Sequence, residues 1–496
     1  MVDTLLQNLA ETGTLRSHGR TLSYLAVNHA TRPAVIMDDG ETISFEQLDR
    51  ASNRLARSYS ALGVQRGDFV TVALPNSVEF VTSCFAIWKL GCTPALLSNK
   101  LPFLERDEIV RLTQPRLAVG IPVDATHESV KCLPVGYEAD AAISDLPLPD
   151  TYALNWKAPT SGGSTGRPKL IVAGAPSLGT VDAQGRMLGG LPTIGGGSLE
   201  GVKLITGPLY HSGPFNSAVQ AILAGGTVVV MRRFDAAHWA SLVSRHRCDW
   251  SYLVPTMMKR IWELPGRPGF DVSSLQAVMH TAAPCPPWLK EKWCEWLGPE
   301  KVYEMFGMSE GLLFATIRGD EWLKRKRDDG TNLVGRLQSG AVRVLDPSGS
   351  EVPPLTMGEL FMRSSGSYKY VGAASQKSDD GWESLGDMGM MDAEGFIFLG
   401  DRKKDMLLVG GSNVFPAEVE AAIEQHPAVS SAAVVGLADA DLGQRLHAII
   451  YLASDVSDAV LVDFVSQRLS KQKVPRTWER VDSPVRGDDG KVRRSA

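Results

Sequence analysis

A run of small and hydroxylated residues, Thr160-Ser161-Gly162-Gly163-Ser164-Thr165-Gly166, ends on Arg167-Pro168-Lys169. Glycine lets backbone N–H groups approach an anion closely, hydroxyls add donors, and Lys169 holds positive charge nearby. An isolated Ser/Thr/Gly stretch is more often a plain loop. The ordered ending Ser-Thr-Gly-x-Pro-Lys favours a phosphate cradle instead. It is not the common P-loop, which requires Gly-x4-Gly-Lys-Ser/Thr, whereas here Pro168 precedes the lysine. Further along stand Glu310 in Phe306-Gly307-Met308-Ser309-Glu310, Asp387 after Gly386, and Lys491 after Gly490. Taken singly these are a surface acid, a turn former and a tail lysine.

The elements that must position these groups are legible in the hydrophobic pattern. Leu48, Ala51, Leu55, Tyr59 and Leu62 recur at helical spacing, and Gly63 stops the run. Phe69–Leu74 reads as a strand ended by Pro75-Asn76, and Val78–Leu90 as a helix ended by Gly91. The alternation continues to about residue 300, which predicts an α/β fold with largely parallel strands. From about residue 330, short strands (Val342–Leu345, Gly358–Met362, Phe396–Leu399) predict a small barrel-like part closing the large domain. A helix at Pro416–Gln425, strands at Ala432–Gly436 and Ala448–Leu452, and a helix at Asp458–Ser470 predict a small α+β C-terminal domain. The expected division is residues 1–403 and 404–496. The glycines between residues 188 and 201 read as a flexible surface loop.

The chain has 496 residues, 44% hydrophobic and 22% charged, with a formal net charge of -5. That is ordinary globular composition, with ample core and no polyanion-binding character, so nucleic acid is not expected as a partner. The six cysteines (Cys84, Cys92, Cys132, Cys248, Cys285, Cys294) are scattered without C-x-x-C spacing, so a zinc site is not expected. No apolar stretch reaches about 18 residues and the N-terminus is not basic, so the expectation is a cytoplasmic protein without a membrane span.

Several segments resemble, in order, the motifs of the adenylate-forming superfamily: acyl-CoA synthetases, peptide-synthetase adenylation domains and beetle luciferases. The loop ending at Lys169 is similar to its signature loop. Leu90-Gly91 lies in an early motif, and Pro208-Leu209-Tyr210-His211 is similar to Pro-Leu-Phe-His. Thr281-Ala282-Ala283-Pro284 stands for Gly-Gly-Ala-Pro, Phe306–Glu310 for Tyr-Gly-x-Thr-Glu, and Gly386-Asp387 for the end of Thr-Gly-Asp. Gly400–Asp405 through Gly410–Glu420 is a nearly complete match, and Gly490-Lys491 is similar to the terminal Gly-Lys. The resemblance is closest to AMP-forming acyl-CoA ligases.

That resemblance implies two reactions: a carboxylic acid attacks ATP to give an acyl-adenylate, then coenzyme A displaces AMP. It implies a nucleotide site of Ser161, Gly162, Gly163, Ser164, Thr165, Gly166, Lys169, Ala282, Ala283, Phe306, Gly307, Ser309, Asp387 and Arg402. Within it, Glu310 ligates Mg²⁺, Asp387 accepts the ribose hydroxyls, and Ala282, Ala283 and Phe306 flank adenine. Lys491 is the implied catalytic cation and Lys404 the hinge. Gly410 and Gly411 mark close approach of pantetheine, since absence of Cβ permits it. His211 shapes the thiol or carboxylate pocket, or is a structural histidine. The acid pocket is expected around Phe215, Trp250, Met257 and Met308, a set suiting a bulky apolar acid such as a polycyclic or terpenoid one, or a long fatty acid.

Four departures touch the ATP side. Leu170 replaces a Gly after the signature Lys, Ala282 a Gly of the adenine wall, and Leu385 the Thr of Thr-Gly-Asp. Asp488 and Asp489 precede Gly490-Lys491. They raise the expectation that adenylation is weak or lost while thioester formation from a supplied acyl-adenylate, made by a separate adenylating enzyme, survives. Two alternatives stand beside the ligase: transfer to a carrier-protein phosphopantetheine, and a non-catalytic acyl-adenylate-binding relative.

Overall fold

The helix Phe45–Ala61 begins where the sequence supplies both halves of a capping box. The Ser44 hydroxyl accepts from the Gln47 N–H at 3.2 Å, and the Gln47 side chain accepts from the Ser44 N–H at 2.9 Å. Its predicted face is buried through Leu48, Leu55 and Tyr59, and Gly63 with φ of +95° turns the chain away. Strand Phe69–Val72 and helix Val78–Lys89 follow where the pattern predicts them, and that helix packs on Phe45–Ala61.

The computed structural model describes residues 15–121, 130–162, 168–188, 195–308, 310, 314–327, 331–363, 368–372, 377–402, 407–409, 412–414, 416–439, 443–469, 471–487 and 492. Two sheets build the large part. In the larger, parallel strands run in the spatial order Pro33–Met37, Thr227–Val230, Val202–Ile205, Trp250–Leu253, Ala277–His280 and Val302–Gly307. Most residues of these strands are buried, with Val, Ile, Leu and Met prominent among them, as parallel strands covered on both faces require. The smaller sheet pairs Leu117–Val119, Phe69–Val72, Thr93–Leu96 and Ala158–Gly162 in parallel, then Pro168–Ala173 and Tyr368–Val371 antiparallel.

Apart from Tyr368–Val371, the strands between residues 314 and 402 continue the larger sheet. Phe314–Arg318, Asn332–Ser339, Phe396–Arg402, Glu383–Met391, Gly358–Arg363 and Ala341–Leu345 pair on, antiparallel, from Val302–Gly307. They carry an apolar cluster of their own, including Val334, Val344, Leu360 and Ile397. The sequence pattern marks this region as separate because its core is separate; hydrogen-bonded pairing does not show in hydropathy.

The C-terminal part has the expected α+β composition: helices Pro416–Ile423 and Asp458–Ser466 on a sheet of Ser412–Val414, Leu407–Val409, Gly443–Leu452, Val429–Asp439 and Thr477–Arg480. Its core, among them Val419, Ile423, Val434, Leu446, Ile450 and Leu461, is distinct from the others. Val429–Asp439 is longer than predicted because pairing with Gly443–Leu452 runs on at both ends, through Val429 on one side and through exposed Leu437 and Ala438 to Asp439 on the other. Lys259, on helix Pro255–Trp262, donates to the Val429 and Ser430 carbonyls at 2.7 and 3.0 Å and ties the two parts together. The boundary expected at Lys404 lies outside the described residues.

One expectation needs correction. Residues 195–201 are anchored, not a free loop: the Trp250 indole N–H donates to the Gly195 carbonyl at 3.1 Å and the Ser198 hydroxyl to Asp249 at 2.5 Å. Among the described residues no helix is long and apolar enough to cross a membrane.

Candidate active site

In parallel α/β sheets ligands bind beyond the carboxyl ends of the strands, where loops diverge. Three of the sequence motifs sit there, on strands of one sheet. Thr206–His211 follows Val202–Ile205, Thr281–Pro284 follows Ala277–His280, and Met308 and Glu310 come after Val302–Gly307. His211 precedes the first turn of helix Ser212–Leu223, and its ring lies 4.5 Å from that of Tyr210. Asn76 holds this segment from the other sheet. Its amide donates to the Gly207 and Met231 carbonyls at 3.1 and 2.8 Å, and its oxygen accepts from the Leu209 N–H at 2.7 Å.

Glu310 is where the two sheets meet. It is buried, and its Oε1 accepts from the Tyr370 hydroxyl at 2.7 Å and lies 3.6 Å from Lys169 Nζ. Lys169 Nζ also stands 3.7 Å from the Tyr370 ring centroid, a cation–π contact. Strand pairing creates this triad: Tyr368–Val371 lies antiparallel to Pro168–Ala173, which brings Tyr370 beside the signature lysine. Burial first, and Glu310 second, push the Tyr370 hydroxyl well above its usual pKa, so it stays a donor. Oε2 of Glu310 makes no hydrogen bond among the described residues. A Mg²⁺ ion keeps waters and takes one or two carboxylates plus phosphate oxygens, and one oriented carboxylate with an open oxygen fits that habit.

Asp387 and Arg402 face each other in register on neighbouring antiparallel strands, so two motifs separated in sequence are brought to one place. Ala282 is exposed and has φ of +77°, left-handed backbone that favours glycine. A strained, exposed residue where the superfamily carries Gly is the physical counterpart of that sequence departure. Leu170 and Leu385, the other two described departures, are buried in small apolar clusters. They are packing changes and leave Lys169, Glu310 and Asp387 in place.

The acid-pocket residues divide. Met308 is half-buried beside Phe306. Phe215 is buried in an aromatic cluster, its ring 5.7 Å from that of Trp156 and stacked on it. Met257 is buried and its sulfur accepts from the Thr206 hydroxyl at 3.3 Å. Trp250 belongs to the core: it is fully buried, with its N–H used on Gly195. Ala283, Phe306 and Gly307 lie along the same carboxyl edge as Ala282. Of Ser161, Gly162 and Arg402 only the backbone is described. Gly163, Ser164, Thr165, Gly166, Ser309, Lys404, Gly410, Gly411 and Lys491 lie outside the described residues. Close to the terminus, Arg486 is held by Glu420 and Glu424, each at 3.2 Å, and its backbone pairs with Val492. Sequence reasoning missed Asn76, Tyr370 and Arg486, although Asn76 after Pro75 at a strand end carried a turn signal.

The sequence profile of the AMP-binding enzymes matches residues 24–370, and that of the AMP-binding enzyme C-terminal domain matches residues 418–488. The chain is 27% identical to the 2-succinylbenzoate–CoA ligase of Bacillus licheniformis, over 97% of this chain and 99% of that one. It is 29% identical to a fatty acid–[acyl-carrier-protein] ligase of Streptomyces coeruleorubidus, over 96% and 94%. The o-succinylbenzoate CoA synthetase of Bacillus subtilis, solved with its acyl-adenylate intermediate, superposes with a TM-score of 0.79 at 25% identity, covering 97% of both chains. The same enzyme has been solved with ATP and a magnesium ion, again with a TM-score of 0.79 at 25% identity over 97% of this chain and 98% of that one. With the profile match spanning most of its length and the motif segments at one sheet edge, this chain belongs to the AMP-binding enzyme family, the adenylate-forming superfamily that its motifs resemble.

Proposed function

We propose that the protein is an AMP-forming acyl-CoA ligase that activates a bulky apolar carboxylic acid as its acyl-adenylate and transfers the acyl group to coenzyme A. The observation that carries this reading is the Glu310–Tyr370–Lys169 triad at the edge that also carries the Thr281–Pro284 and His211 segments. Asp387 accepts the ribose hydroxyls, and Lys169 and the loop before it hold phosphate oxygens. Tyr370 and Lys169 hold one oxygen of Glu310, so that the other would be left to bind Mg²⁺. Bound Mg²⁺ supplies charge neutralisation on the polyphosphate. Lys491 brings a cation to the reacting carboxylate and α-phosphate, and His211 borders the carboxylate or thiol. For the second reaction the C-terminal part turns about Lys404, and Gly410-Gly411 admits pantetheine.

Adenylation is retained but slowed. The buried departures Leu170 and Leu385 leave the polar groups intact, whereas Ala282 strain and the Asp488-Asp489 pair bear directly on nucleotide and catalytic lysine. Carrier-protein acyl acceptance is the second reading, favoured by the likeness to the carrier-protein ligase. The test is to assay the half-reactions separately with a panel of acids. Pyrophosphate release on ATP plus acid, and acyl-CoA from synthetic adenylate plus free CoA, are both expected, the second faster. Thioester formation with holo-carrier protein alone would replace the CoA reading. Failure of both half-reactions, with tight acyl-AMP binding, would replace enzyme with sensor.

A further inference from the structure

Five lysines are buried among the described residues: Lys89, Lys157, Lys203, Lys259 and Lys290. Four have a carboxylate partner. Lys89 Nζ is 2.7 Å from Asp49 Oδ1, Lys203 Nζ is 2.8 Å from Asp249 Oδ1, Lys259 Nζ is 3.6 Å from Glu263 Oε1, and Lys290 pairs with Glu304. Lys157 differs. Among the described residues its ammonium donates one hydrogen bond, to Asn216 Oδ1 at 2.8 Å, and stands 4.9 Å from the Trp156 ring centroid. An ammonium has three donors, so among the described residues two are unused. A buried cation with one neutral acceptor is unfavourable unless a counter-charge arrives. Burial lowers its pKa to about 7, and Glu310 is the carboxylate whose field opposes that.

Position narrows the counter-charge. Trp156 stacks on Phe215, and Asn216 follows Phe215 on the helix that begins just after His211. The ammonium thus lies against the aromatic wall of Trp156 and Phe215, beside the helix that follows His211. Phosphate oxygens offer the same chemistry as a carboxylate, but Lys169 already stands at Glu310, and the surroundings of Lys157 are aromatic.

We infer that Lys157 is a specificity-determining residue of the acyl pocket, where it receives a second carboxylate carried by the acid away from the one that reacts. The inference rests on the ligase reading and names its substrate class: an apolar body with an acidic group at each end. An acid of this kind completes the charge pairing that the described residues leave open.

The experiment compares straight-chain monocarboxylic acids of six to sixteen carbons with α,ω-dicarboxylic acids of the same lengths. Acyl-CoA formation is measured from ATP and acid, and in parallel from the synthetic adenylates. In the wild type, kcat/KM is expected to favour the dicarboxylic member at one or more lengths. Lys157→Met should remove that preference by about 10- to 100-fold, the size of one charge-assisted hydrogen bond, while the monoacid changes little. Asn216→Asp keeps the bond to Lys157 but supplies an internal carboxylate, and should remove the preference likewise. This second variant guards against a misfolded first one, and a purely structural lysine would not respond to it. A wild type that prefers the monoacid at every length overturns the inference. So does Lys157→Met lowering both members equally, or raising the KM for ATP alone. No turnover of any member by either route sinks the ligase reading itself, and this inference with it.

Discussion

Replacing Tyr370 with Phe removes one hydroxyl and leaves the ring under Lys169 in place. That hydroxyl donates to Glu310 Oε1 at 2.7 Å, and the remaining neighbour of this oxygen, Lys169 Nζ, is 3.6 Å away. A hydrogen bond to an ionised group contributes about 1.5–3 kcal/mol, or roughly 10- to 150-fold in an equilibrium. Lys169 remains to restrain the carboxylate, so the lower half of that range applies, about 10- to 30-fold. The assay is pyrophosphate release from ATP and acid, titrated with Mg²⁺, beside thioester formation from a supplied acyl-adenylate, which needs no metal–polyphosphate complex. Tyr370→Phe should raise the Mg²⁺ requirement of the first reaction by that factor and leave the second nearly unchanged. An unaltered Mg²⁺ titration, or an equal loss in both reactions, would refute the assignment of Glu310 to the metal.

Ala282→Gly should raise stability by up to about 1 kcal/mol in thermal denaturation, because the φ of +77° strains any residue with a Cβ; it should also speed adenylation. The buried lysines should respond oppositely to Met. Lys89→Met abandons a buried Asp49 and should destabilise by about 3–5 kcal/mol, while Lys157→Met removes a cation that has no carboxylate partner among the described residues and should stabilise. The Lys157 effect has a sign in pH. Above about pH 7 the native state has released a proton that the unfolded chain keeps to about pH 10.4, so stability from this group rises with pH across that window. Lys157→Met should therefore help most at pH 6 and least near pH 10. Its ceiling is about 5 kcal/mol, reduced by the orphaned Asn216 oxygen. Lys259→Met breaks two hydrogen bonds between the large and C-terminal parts, and should loosen the observed orientation about tenfold or more, read as faster hydrogen exchange around Val429–Ser431.

Element types were legible because period and punctuation are local: Ser44 with Gln47, Gly63, and Pro75-Asn76 mark their boundaries by chemistry that acts within a few residues. The motif segments were legible for the same reason, each being a contiguous string. What joins them was not. Tyr370 meets Glu310 only because Tyr368–Val371 pairs with Pro168–Ala173, roughly two hundred residues away in sequence. Asn76 clamps Gly207 and Leu209 across two sheets. The aromatic residues carried the least information: Trp250 and Phe215 look alike in sequence, yet one uses its N–H inside the core and the other packs near the start of the His211 helix. Nothing in the local sequence sets Lys157 apart; only its burial and its single described hydrogen bond do.

Catalysis as proposed requires a nucleotide ester whose sugar is held by Asp387, the residue in register with Arg402. Equilibrium binding of a non-hydrolysable acyl-adenylate analogue to wild type and Asp387→Ala tests this most directly. Loss of a carboxylate that accepts two hydroxyls predicts a dissociation constant at least about 10- to 100-fold higher. Equal affinity in the two proteins would contradict it.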